Sequence, residues 1–166
     1  PTLPIILLAE ATVAIALKRE QDTKWVTKIS KEDYMRWNDY GIGLLRQGDL
    51  KGAQHAFQRV TEAAPRFADG WLNIARALLQ EGQTAAAKPF IRKALDIDDS
   101  LGRIHFFHAK IQRSEGNYDG ALDSLRKAEN IYPSDRVLLN EMAQILFRKR
   151  QYDKALEVLE KVARID

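Results

Sequence analysis

Apolar residues in the middle of the chain recur at steps of three and four. Trp37, Tyr40, Gly41 and Leu44 make one such stripe, the mark of a helix with one buried face. Gly48 interrupts it within RQGDL, because glycine tolerates the left-handed backbone that ends a helix. A second stripe follows with Ala53, Phe57 and Val60 inside, and Pro65 stops it. Proline lacks the amide hydrogen and its ring clashes with the preceding turn. The predicted unit is therefore a pair of helices joined by a tight turn.

That unit then repeats. Ala53, Ala87, Ala121 and Ala155 stand 34 residues apart, and Gly48, Gly82 and Gly116 share the spacing, with Arg150 in the fourth place. Gly41, Ala75, Ala109 and Ala143 form a second small-residue register, and Phe57, Ile91, Leu125 and Leu159 a large apolar one. Ile97, Ile131 and Ile165 recur near each unit's end, and Pro65 and Pro133 lie two periods apart with Asp99 between. Registers that stay in phase over four units predict an all-α array of stacked helix pairs. The small residues have a packing reason: two helices approach closely only where side chains are short. Arg59, Lys93, Lys127 and Lys161 fall late in the second helices, where a cation complements the negative helix end. Pro89 is out of pattern, about five residues inside a second helix, and predicts a lost hydrogen bond or a kink.

Residues 1 to 33 do not continue the period, since Arg19 and Thr23 fall where the alanine and the large apolar residue belong. Residues 3 to 17 (LPIILLAEATVAIAL) are the most apolar stretch. No positive charge precedes them as a signal peptide requires. Glu10 and the Lys18-Arg19 stop leave them short of the roughly 20 apolar residues of a membrane span. The expectation is a helix that packs on the end of the array, with Thr2 as its cap and Pro4 in its first turn. Ser30 and Asp33 have the spacing of a capping box, with Ile29 and Tyr34 as its hydrophobic staple, so the array is expected to begin near Ser30. The chain opens at Pro1 rather than Met, as an excised or processed chain would. At the other end the fourth unit has no visible solvating helix, which points to continuation or to self-association through an open C-terminal end.

Composition narrows the chemistry. The 166 residues are 45% hydrophobic and 30% charged, ordinary for a globular chain. A net charge of +3 falls short of the concentrated basic footprint of a nucleic-acid binder. With no cysteine, a disulfide framework, a thiolate metal site, a Cys nucleophile and covalent c-type haem are absent from this chain. Absence of Cys suits either redox compartment, so a soluble chain in cytoplasm or periplasm is expected and neither is chosen. No Ser lies in a G-x-S-x-G elbow, and the glycines punctuate helices rather than form a G-x-x-x-x-G-K phosphate loop. His105 and His108 stand three apart in HFFH, a spacing that can present two imidazoles to one metal. No third ligand is evident on that face, so they are expected to be packed residues. His55 is expected on an outward face. No catalytic residue, metal or cofactor is expected, and the chain is not expected to be an enzyme.

The spacing and residue types resemble the tetratricopeptide repeat family, with its Trp-x2-Leu-Gly-x2-Tyr, Ala-x3-Phe and closing Pro. The first repeat (34–67) carries Trp37, Tyr40, Gly41, Leu44, Ala53, Phe57 and Pro65. The second (68–101) carries Trp71, Ile74, Ala75, Leu78, Ala87 and Ile91. The third (102–135) carries His105, His108, Ala109, Ala121, Leu125 and Pro133, and the fourth (136–166) Leu139, Met142, Ala143, Leu146, Ala155 and Leu159. The resemblance covers residues 34 to 166 and implies a right-handed α–α superhelix, with residues 1–33 as an added N-terminal helix and linker.

The resemblance also implies a non-catalytic protein–protein interaction scaffold whose first helices line a concave groove. By the family's groove positions, the candidate binding residues are Asn38, Ile42, Leu72, Asn73, Arg76, Arg103, Phe106, Lys110, Arg113, Asn140, Gln144 and Phe147. Met35, Leu45, Arg46, Asp69, Leu79, Gln80, Ser114, Val137 and Arg148 share that face. Arg76, Arg103, Lys110 and Arg113 suit an acidic side chain or a C-terminal carboxylate, and Phe106 and Phe147 suit apolar contacts. The expected partner is thus a protein or peptide with acidic and apolar residues, not nucleic acid and not a membrane. The carboxylate clamp of chaperone-binding members falls on Asn38, Ile42, Asn73, Arg103 and Phe107. Only Asn73 and Arg103 fit, so a chaperone tail is not implied. RWNDYGIGLL and the repeats after it are also similar to tetratricopeptide tails of bacterial multi-haem cytochromes. That gives the alternative of an accessory segment organising partners or oligomers of a larger enzyme or electron-transfer protein, without a Cys-x-x-Cys-His here to support haem.

Overall fold

A computed structural model of the chain describes residues 33 to 165. The apolar stretch 3–17, Ser30 and Ile29 lie outside the described residues. Within them are eight helices and no strand: α1 Tyr34–Gln47, α2 Leu50–Ala63, α3 Ala68–Gln80, α4 Thr84–Ile97, α5 Gly102–Ser114, α6 Tyr118–Ile131, α7 Arg136–Arg148 and α8 Tyr152–Ala163. They pack as antiparallel pairs, each stacked on the next, so the array is an all-α superhelix.

The turn inside each pair is built the same way four times. Gly48, Gly82 and Gly116 take positive φ of 80°, 82° and 76°. This bends the chain so that the amide of the next residue reaches back to a carbonyl five residues earlier, as Asp49 N–H does to Leu44 at 3.0 Å and Gln151 N–H to Leu146 at 2.9 Å. Such a bond satisfies a helix-end carbonyl that would otherwise be orphaned. In the fourth turn Arg150 adopts φ 59° with a Cβ, a geometry unfavourable for an L-residue. Asp49 and Asn117 then cap α2 and α6, each accepting a backbone N–H three residues on at 3.0 Å.

The start of α1 differs from the sequence reading. Asp33 is itself the N-cap, its carboxylate accepting from Arg36 N–H at 3.3 Å, rather than the acidic fourth member of a box begun at Ser30. A carboxylate suits that place because it also faces the positive end of the helix dipole. Tyr34 tilts against Phe67, ring centroids 5.2 Å apart. Pro89 sits within α4, which runs through it. Both Pro89 and Ala85, whose carbonyl loses its partner, are exposed, so water can take the missing amide's place.

The core runs between the helices of each pair. Ala53, Ala87 and Ala121 are fully buried, as are Phe57, Ile91 and Leu125, each large side chain adding about 1.5–3 kcal/mol of burial. The tightest approach is in the first pair. A Cβ placed on Gly41 would lie 2.5 Å from Cε1 of Phe57 and 2.8 Å from its Cδ1. Where the facing residue is alanine (75, 109 and 143), the large partner is Ile91, Leu125 or Leu159 rather than phenylalanine. Ring and glycine are therefore one fitted set.

Two outcomes follow for stability, both read from denaturant midpoints. Gly41→Ala is expected to cost about 1–3 kcal/mol by overpacking, and Phe57→Leu in the same chain to recover about 1 kcal/mol of it. Strict additivity of the two changes would show that they are not a fitted pair. Arg150→Gly is expected to stabilise the chain by about 1 kcal/mol by releasing the left-handed strain; a midpoint unmoved or lowered would contradict that reading of the fourth turn.

Candidate binding groove

The first helix of each pair carries a face that is not used against its own partner. Leu45 from α1, Arg76, Leu79 and Gln80 from α3, and Phe107, Lys110 and Arg113 from α5 line one cleft of about 410 Å³. Three successive first helices thus contribute to one surface. Leu45, Leu79 and Phe107 give it an apolar floor that packs against the adjoining core.

The candidate residues divide according to what already occupies them. Leu72 is only 1% exposed and belongs to the core. Asn38 and Asn73 are buried, and Asn73 Nδ2 donates to Asn38 Oδ1 at 2.9 Å across α1 and α3. These three are corrections to the groove expectation, because their burial leaves little surface to a ligand. Ile42 is half-buried against the first core cluster.

The cations divide likewise. Arg103 on α5 makes a fork to Asp69 on α3, 2.6 Å from Nε and 2.5 Å from Nη2. That hydrogen-bonded carboxylate raises the Arg103 pKa above its ordinary value. Arg113 reaches Glu141 on α7 at 2.7 Å and Gln144 Oε1 at 3.3 Å. Both arginines therefore tie one repeat to the next. Arg76 instead donates to Asn73 Oδ1 at 2.8 Å and lies 5.5 Å from the Phe107 ring centroid. Lys110 lies 5.1 Å from the Phe106 centroid and 5.9 Å from that of Phe107; the two rings meet edge to face at 5.3 Å. Burial pulls the Arg76 guanidinium below its ordinary pKa; Asp69 opposes this, and the Arg46 and Arg103 charges add to it.

Asn140, Gln144 and Phe147 on α7 are exposed and line a second cleft of about 780 Å³ with Tyr152, Ala155 and Leu159 of α8. Phe147 is 63% exposed, and its ring meets Tyr152 at 5.2 Å. Leu159, in register with the buried Phe57, Ile91 and Leu125, is 46% exposed, and Leu156 beside it is more so.

Sequence reasoning passed over Phe107, which it met only as a misfit in the chaperone clamp, and the two anions that engage Arg103 and Arg113. One signal was available: Asp69 and Arg103 stand 34 apart, so opposite charges in the same register face each other on neighbouring first helices. His105 is buried, its Nε2–H donating to the Asp99 carbonyl at 2.6 Å. His108 Nδ1 lies 3.3 Å from Ser124 Oγ, which donates to Gln112 Oε1 at 2.7 Å. Burial first, then the His105 charge, lowers the His108 pKa, so its neutral form is favoured. Among the described residues no group of three or more His, Cys, Asp or Glu is placed to hold a metal, and no helix is long and apolar enough to cross a membrane.

Family models described as tetratricopeptide repeat match residues 40–101 and 112–166. The chain belongs to the tetratricopeptide repeat family, and with it to the protein-interaction scaffolds. Solved structures share the fold. A crystal structure of MamA superposes with TM-score 0.74 at 16% identity, covering 84% of this chain and 82% of that one. MamA from Desulfovibrio magneticus RS-1 gives 0.71 at 19% identity, over 81% and 76% of the two chains. A MamA chain labelled MSR-1 gives 0.66 at 18%, over 81% and 77%.

Proposed function

We propose that this scaffold holds a segment of a partner protein along the face made by α1, α3, α5 and α7. The observation that carries the reading is the cleft to which three consecutive first helices contribute, with an apolar floor and a polar rim. Exposed Val137 and Phe147 extend the same helices' apolar surface onto the fourth repeat. A folded solenoid gains nothing for its own stability from exposing such large apolar side chains, and apolar anchors inside a polar rim are what a bound segment uses.

The test is a selection of random 12-residue peptides displayed on phage against the chain, with affinities measured by fluorescence anisotropy. Leu79→Lys with Phe147→Ala is expected to weaken the selected peptides about tenfold or more, whereas His55→Ala with Arg92→Ala on the second helices changes nothing. If no peptide is enriched, or the groove variant binds as well as the parent, the reading fails.

The exposed apolar α7–α8 face supports a second reading, association of two copies through it. What favours it is Leu159, exposed where its three counterparts are buried. Light scattering across a concentration series is expected to show dimer that Leu156→Lys with Leu159→Lys converts to monomer. A monomeric parent at every concentration would refute it.

A further inference from the structure

Four basic side chains were expected to give the groove its charge, and two of them are already neutralised from within. Arg103 is held by Asp69 and Arg113 by Glu141. Among the described residues no carboxylate stands within ion-pair distance of Arg76 or Lys110. Both are at least half withdrawn from solvent, and the same Phe107 ring supports both, at 5.5 Å from Arg76 and 5.9 Å from Lys110. The ring attracts the cations to its face but supplies no anion. Two partly desolvated cations therefore converge on one opening with no carboxylate paired to either, Asp69 acting on Arg76 only through space, an arrangement that favours an arriving anion.

We propose that Arg76 and Lys110 form the anion seat of the groove, and that it receives the side-chain carboxylate of an acidic residue flanked on both sides by apolar residues within the partner segment. The proposal rests on the groove reading above. The apolar flanks follow from the walls. Leu45 and Leu79 line the cleft that holds the seat, and Phe106, Val137 and Leu138 line a neighbouring one of about 240 Å³. An internal residue fits better than a chain terminus. A terminal carboxylate at the seat would leave the groove on one side of it without a ligand, whichever way the segment ran. A side-chain carboxylate fits better than a nucleic-acid phosphate, because the floor is apolar and two isolated cations cannot track a backbone.

The experiment uses the peptides selected on the parent chain. Those peptides are expected to be enriched in an internal Asp or Glu between apolar residues. The best of them should lose about tenfold in affinity when its acidic residue is replaced by the amide. Arg76→Gln with Lys110→Gln should bind the acidic and amide peptides equally, and should bind the amide peptide as the parent does, which is the signature of a direct pairing. Circular dichroism of the variant confirms that it is folded, and Arg92→Gln on α4 serves as a control for lost charge. Equal affinity of the parent for acidic and amide peptides would overturn the seat while leaving the groove standing. So would discrimination that survives in the double variant, because other cations would then be responsible. Peptides that depend on a free C-terminus and fail when amidated there would overturn the internal-residue assignment. Failure to enrich any peptide would instead remove the groove reading beneath it.

Discussion

Everything in this molecule depends on how closely the two helices of a pair can approach. A glycine or alanine at 41, 75, 109 or 143 faces a large residue on the second helix, and a fully buried alanine or near equivalent sits beside it. If those sites were larger, the helices would separate and the interior would lose the density that dispersion and apolar burial need. The first pair marks the limit, because a phenylalanine is admitted only against a glycine with no Cβ. With the pair spacing set, the turn becomes equivalent from unit to unit, and first helices line up as neighbours. The groove is a consequence of that spacing rather than a separate construction.

Charge does a second job along the same face. Arg103 with Asp69 and Arg113 with Glu141 connect consecutive first helices. Each bridge is partly exposed, so its contribution to stability is modest. The geometry it imposes matters more, since a forked arginine fixes orientation as well as distance. The outward face of the groove therefore mixes charges that hold the scaffold in shape with charges left available. Position alone does not tell the two apart; the neighbour on the next helix does.

That explains which parts were legible in the sequence. Helix pairs, turn glycines and core registers each reflect a constraint local to one unit and repeated in the next, so a period of 34 residues exposed them. The groove was legible only as a face. Leu72, Asn38 and Asn73 carry the right register, yet all three are buried, and a pattern read along one helix does not register how much of a face the packed array leaves open. The same limit hid Phe107, whose importance comes from Arg76 on one helix and Lys110 on its own. The N-cap at Asp33 departed for a simpler reason: an acidic residue satisfies both the capping box's fourth place and the cap itself, and spacing does not separate them.

The exposure of Leu159 has a dynamic consequence. In a linear array each unit is stabilised by its own packing and by its two neighbours. Among the described residues α8 has a neighbour on one side only. Within the described array its packing is one-sided, so amide protons of α8 exchange ahead of those in α3 or α4, which are packed on both sides. An apolar edge packed on one side only couples order to occupancy. Whatever covers that edge tightens the last repeat and, through Glu141 and Gln144, the arginine that rims the groove.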